Sequence, residues 1–219
     1  MDRLLELGPE FWVAAVETLY MVALTLLFGG VVGLVLGVVL YTTRPGGLWA
    51  NRVVSGVVNV VINFFRPIPF IIFIAAVQPL SRAIIGTGIG NDALIFALSL
   101  AASFAIARIV EQNLLTVSPG VIEAARAMGA APFRILRTVV LPEALGPLIL
   151  GYTFVLVAIV DMTAVAGLIG GGGLGNFALV YGYRQYQPLI TWAAVLLIIA
   201  FVQVVQFLGN WLARKVLRR

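Results

Sequence analysis

TLYMVALTLLFGGVVGLVLGVVLYTT, residues 18–43, carries no charged side chain. A helix needs about 20 apolar residues to cross the hydrocarbon of a bilayer, and this run exceeds that. Residues 185–213 are likewise free of charge. Between these two runs, apolar segments centre on 53–78, 90–113 and 140–166, each interrupted by one to three ionisable residues. In lipid every backbone polar group has to be satisfied within the chain, so long apolar runs of this kind read as helices. The pattern predicts an all-α polytopic membrane protein with five transmembrane helices.

Composition agrees. Of the 219 residues 62% are apolar and the mean hydropathy is +1.09, against roughly 45–50% apolar content in soluble domains. There is no Cys and no His, which removes disulfides, thiolate chemistry, the commonest metal ligand and the commonest general base. The net charge of +5 is not gathered into a basic stripe with interleaved aromatics, so a nucleic-acid partner is not indicated. Counted over alternate connections, Lys and Arg are lopsided. One set holds Arg44, Arg52, Arg126, Arg134, Arg137, Arg214, Lys215, Arg218 and Arg219, and the other only Arg3, Arg82 and Arg184. Cytoplasmic loops are the ones enriched in Lys and Arg. The expected topology is an outside N-terminus and a cytoplasmic C-terminus, in a single membrane domain over 1–219. The start, MDRLLELGPEFWV, lacks the positive n-region of a cleaved signal peptide.

Gly29, Gly33 and Gly37 recur at every fourth position of the first span, a small-residue stripe that lets another helix approach closely. Its partner is either a helix of the same chain or a neighbouring subunit, and five helices have to pack on one another first.

The connection before the fourth span reads SPGVIEAARAMGAAPFRILRTVVLPEAL, residues 118–145. Ser118 then Pro119 is an N-cap followed by proline at the first helical position, Gly129 is a helix end, and Pro132 opens the next helix. Pro142 suits the entry to the fourth span. A short helical finger, 118–138, is expected to project from the membrane. Within it Glu123, Ala124 and Ala125, then Gly129, then Val139, Leu141 and Pro142 resemble the cytoplasmic signature of ATP-binding cassette importer permeases. In that family the loop is a coupling helix that docks in a groove of the nucleotide-binding subunit. The resemblance therefore implies docking by Glu123, Ala124, Ala125, Arg126, Gly129, Val139, Leu141 and Pro142. It also implies a type I importer permease fold, with the family's transmembrane domain over about 15–207. NFFRPIPFIIF (63–73), IIGTGIG (84–90) and GGGGLGNFALVYGYRQY (170–186) look like the methionine-uptake branch. That branch implies two permeases, two ATPase subunits and an extracytoplasmic substrate-binding lipoprotein in a bacterial inner membrane. Permeases for other polar amino acids or small solutes share the layout, and a self-sufficient carrier or channel is the alternative from a different class.

Gly170, Gly172 and Gly175 formally fit G-x-G-x-x-G, but they follow a spanning helix, and no Asp or Glu lies after Asp161 to hold a ribose. The only lysine, Lys215, lies in no P-loop motif. No catalytic residue, metal site or cofactor is expected in this chain, and ATP and Mg would be bound by a partner ATPase. Arg66, Arg108, Glu111 and Asp161 are ionisable groups within spans, where an unpaired charge costs at least ~2.5–3.5 kcal/mol. Arg108 and Glu111, three apart, are expected to pair, or Arg66 to reach Glu111 across helices. Asp161, with Met162 and Thr163 beside it, either faces the solute path or is wet or paired elsewhere. Pro67 and Pro69 should break the second span, making it a candidate lining of the pathway.

Overall fold

The computed structural model describes residues 6–167 and 170–217; Asp2, Arg3, Arg218 and Arg219 lie outside them. No strand occurs among the described residues. The elements are α1 (Gly8–Thr43), α2 (Arg52–Phe65), α3 (Phe70–Ile85), α4 (Gly90–Leu114), α5 (Pro119–Ala127), α6 (Pro132–Ile135), a π-helical turn (Leu136–Val140), and α7 (Leu141–Ala166). Then follow α8 (Gly173–Phe177), a second π-helical stretch (Ala178–Tyr183) and α9 (Pro188–Leu217).

Four helical rods are long and apolar enough to cross a membrane alone: α1, α4, the continuous stretch Pro132–Val165, and α9. The fifth crossing is composite. Helices α2 and α3 qualify only as a pair, and they meet at 113°. The break falls at Arg66-Pro67-Ile68-Pro69, where two prolines withdraw two donors and oppose helical geometry in the residues before them. Asn51 starts the pair cleanly, its Oδ1 accepting from Val53 N and Val54 N at 3.1 Å each.

In lipid a Leu–Leu contact gains little over a Leu–lipid contact, so close packing rests on small residues and interhelical hydrogen bonds. The glycine stripe shows this directly. A Cβ on Gly29 would lie 2.7 Å from Ser99 O, one on Gly33 2.6 Å from Ile106 Cβ, and one on Gly37 2.5 Å from Val110 Cβ. All three targets are on α4, so the stripe is an intrachain seam between α1 and α4. Next to it the Tyr152 hydroxyl donates to Gly30 O at 2.8 Å, tying α7 to α1. Gly33→Leu is expected to force the seam apart, with an overpacking cost of about 3 kcal/mol. Monodisperse protein after detergent extraction should fall sharply, whereas Gly56→Leu, where an added Cβ meets nothing within 4 Å, should extract like the parent.

The opposite faces of α1 and α9 are apolar and exposed, from Trp12 to Val35 and from Leu189 to Leu212. Trp12 and Trp192 lie toward one end of the bundle, Trp49 and Trp211 toward the other, the two-level arrangement in which Trp sits at membrane–water interfaces.

Pro142 stands in the first turn of α7, as expected, but it does not start the rod. The rod begins at Pro132 and runs on without interruption, because the π-helical turn shifts the register and Leu141 N bonds Leu136 O, five residues back. Such a turn absorbs a local mismatch without ending the helix.

Candidate functional site

The finger is built as the spacing suggests. Helix α5 ends at Gly129, whose φ of +76° is a left-handed conformation that glycine adopts without a Cβ penalty. Gly129 N donates to Arg126 O at 2.9 Å and Ala130 N to Ala125 O at 3.1 Å, the paired bonds of a Schellman end. Pro132 then opens α6. Ser118 occupies the N-cap position of α5 without a side-chain cap bond; proline at the first helical position leaves one donor fewer to satisfy.

One side of the finger is anchored. Ile122, Ala125, Ile135 and Leu136 are buried and join a core with Leu114, Val117 and Val140 at the end of the bundle. The other side is bare: Val121, Glu123, Ala124, Arg126, Met128, Gly129 and Phe133 are exposed, Met128 by 81%. The expected docking set is thus divided. Glu123, Ala124, Arg126, Gly129 and Pro142 stand on the surface, whereas Ala125 is buried and Val139 and Leu141 pack on the core. Those three hold the finger in place and do not present it.

A second constellation lies within the spans. Arg108 Nη1 donates to Glu111 Oε2 at 2.6 Å. Its Nη2 donates to Asn59 Oδ1 at 2.6 Å and Asn63 Oδ1 at 2.8 Å. The pair is Arg108–Glu111, not Arg66–Glu111. It clamps α2 to α4, and Phe65 stacked on Phe104 at 5.2 Å reinforces the same junction. The elbow of the broken span is therefore braced on α4, the helix that leads into the finger. Arg66 itself is exposed at the elbow.

Asp161 is exposed, Met162 half-buried and Thr163 buried. The Thr163 hydroxyl donates to Val160 O of its own helix at 2.6 Å. Residues two apart point about 200° away from each other around a helix, so Asp161 and Thr163 do not converge on one site.

Sequence reading missed a third constellation, around the glycine run. Glu17 Oε2 accepts from Gly173 N at 2.8 Å and its Oε1 from Asn91 Nδ2 at 3.1 Å. Asn91 Oδ1 accepts from Gly172 N at 2.8 Å, and Thr18 Oγ1 from Leu174 N at 2.8 Å. The run between the fourth and fifth spans thus folds back against α1 and the start of α4, with successive backbone donors captured by three side chains. Gly173 sits at φ +91°, which turns those donors toward Glu17. The available signal was a carboxylate one residue before an uncharged span, opposite a glycine run with surplus N–H groups. Glu17→Ala removes two charge-assisted bonds of roughly 1.5–3 kcal/mol each at most. Amide exchange at Gly172–Leu174 should accelerate about tenfold to a hundredfold, with exchange in the Gly33 seam unchanged.

Among the described residues no cluster of three or more His, Cys, Asp or Glu could hold a metal. The fold and these sites define a class: a helical membrane protein that braces a broken span and carries a finger with one anchored and one bare face. The family profile "Binding-protein-dependent transport system inner membrane component" matches residues 29–218, and the chain belongs to that family. It is 41% identical over 200 residues to a probable D-methionine transport system permease protein of Vibrio cholerae, covering 91% of this chain and 89% of the relative. It is 40% identical over 201 residues to a methionine import system permease protein of Bacillus subtilis, covering 92% and 90%. Its fold superposes on a chain of the MetNI methionine ABC transporter in an inward-facing conformation with a TM-score of 0.90 at 43% identity, covering 95% and 98%. A chain of an amino acid ABC transporter solved with histidines shares the fold at 19% identity, with a TM-score of 0.81 and 97% coverage of each chain.

Proposed function

We propose that this chain is the permease subunit of an ATP-driven importer of methionine, forming the translocation pathway as a homodimer. One observation carries the reading: the finger is anchored on one face by Ile122, Ala125 and Ile135 and bare on the other. That arrangement suits a lever receiving force from a soluble partner. The partner would be a pair of ATPase subunits that bind ATP and Mg, and an extracytoplasmic lipoprotein would deliver the solute. The Lys and Arg excess supports a finger and C-terminus in the cytoplasm and an N-terminus outside. The relatives' names support methionine as the solute.

In mechanism, ATP binding in the partner would push the exposed face of α5. The movement passes into α4 and α7, which flank the finger in sequence. Through Arg108 it reaches α2 and the elbow at Arg66–Pro69. Rocking of two such bundles would open the route alternately to either side. Arg66 and Asp161, charged and exposed within apolar spans, are the candidates to face water between the copies, where a charge is tolerated.

The test is uptake of labelled methionine in cells with and without the gene, with other amino acids as competitors, together with purification of the tagged chain. Methionine uptake that disappears with the gene, and a stoichiometric ATPase that no longer co-purifies once the exposed face of the finger is altered, would support the reading. Solute movement by the purified chain without companion subunits would overturn it.

A further inference from the structure

A cleft of about 980 Å³ runs between α1, α7 and α9, at the upper end of the roughly 300–1,000 Å³ of ligand pockets. Its walls are apolar, with Leu34, Leu141, Leu145, Leu208 and Leu212 among them, and Tyr152 at depth. The Tyr152 hydroxyl is already committed to Gly30 O. From Leu141 to Leu156 the cleft follows α7 for about 22 Å at 1.5 Å per residue. One leaflet of hydrocarbon is roughly half of 30 Å deep, so the cleft is long enough for an extended acyl chain.

Beyond the lining, two of the helices that form the walls carry a cation within one turn of the end nearest the finger. Arg137 lies in the π-helical turn four residues before Leu141, and Lys215 lies three residues after Leu212 and seven after Leu208, on the same face of α9. Both cations are exposed, and neither is in a salt bridge among the described residues, where the one ion pair is Arg108–Glu111. The Lys215 ammonium sits 5.2 Å from the Trp211 ring centroid, and Trp is the residue that marks headgroup level. An apolar slot of acyl-chain length, with a cation outside any salt bridge among the described residues just beyond the end of each of two walls, is complementary to one ligand class.

We propose that this cleft is a binding site for an anionic phospholipid, with one acyl chain between α1, α7 and α9 and the phosphate between Arg137 and Lys215. Basic pockets between spans are known to take such headgroups. The inference rests on the membrane fold alone and stands or falls separately from the transported solute.

Native mass spectrometry of the full-length chain in mild detergent tests it. The probes are palmitoyl-oleoyl phosphatidylglycerol and the phosphatidylcholine with the same chains. Phosphatidylglycerol should be retained about thirtyfold better, the factor two cations near a headgroup supply. Arg137→Gln with Lys215→Gln should bring the two lipids to parity, and Arg137→Lys with Lys215→Arg should keep the preference. Leu145→Trp, which fills the slot and leaves both charges, should lower retention of both lipids. Parity in the parent, or a preference that survives loss of both cations, overturns the proposal. So does a disulfide between two copies of Leu145→Cys in this cysteine-free chain, because a second copy would then cover the cleft.

Discussion

Arg108→Ala is expected to destabilise the chain by about 3 kcal/mol, the lower end of the cost of removing one partner from a buried ion pair. Arg108 and Glu111 are each only 15% exposed. The alanine variant leaves Glu111 facing apolar surroundings, and strips Asn59 and Asn63 of a donor at the same stroke. In a chain of this length that loss corresponds to roughly 6–12 °C in Tm, measurable by thermal denaturation in detergent. Arg108→Met combined with Glu111→Leu should recover most of it, since no charge is then stranded. If the single and double variants melt together, the clamp is not what holds α2 against α4. Transport gives a separate reading. Because the elbow is braced through Arg108, the double variant should be stable yet import more slowly per ATP hydrolysed.

The second large effect is expected at the turn of the finger. Gly129→Val places a β-branched residue at φ +76°, where even an unbranched L-residue pays about 1–2 kcal/mol. The Schellman bonds from Gly129 and Ala130 then loosen, and the exposed face of α5 loses its fixed angle to the bundle. Uptake should fall at least tenfold, about 1.4 kcal/mol of lost coupling, with the permease still inserted and extractable in normal amount. Gly129→Asn, which tolerates the left-handed region, should retain most uptake. Glu123→Arg should fall with Gly129→Val, because it reverses the one carboxylate on the bare face of α5. Full uptake with normal ATPase stimulation in the valine and arginine variants would show that force reaches the bundle by another path.

The finger was legible because its punctuation is local. Pro119, Gly129 and Pro132 each act through their own backbone, so spacing alone places the helix, the turn and the next helix. The Arg108–Glu111 pair was legible for the same reason, since three residues along one helix is a contact decided by helical geometry. Its partners Asn59 and Asn63 lie 49 and 45 residues away, and no periodicity connects them. The division of the docking signature into exposed Glu123 and buried Ala125 also escaped the motif. A signature records residue types and not which side of a short helix the bundle covers. Pro142 sits in the first turn of α7 as its type suggests, but the π-helical turn at Leu136–Val140, which joins α7 to the helix begun at Pro132, has no signal in the spacing.

Read by itself, the amino-acid order determined the medium and the outline: uncharged apolar runs of more than about 20 residues read as helices, which satisfy every backbone group within the segment. It also determined where the chain breaks and turns, at Pro67, Pro69, Gly129 and Pro132. Only the tertiary structure decided what those elements meet. It set the glycine stripe against α4, folded the 170–174 segment onto Glu17 and Asn91, and braced the elbow through Arg108. It left an open cleft between α1, α7 and α9. Contacts of that kind depend on the relative rotation and depth of rods far apart in the chain, which in lipid are chosen by the packing of small residues and polar pairs, not by hydrophobicity.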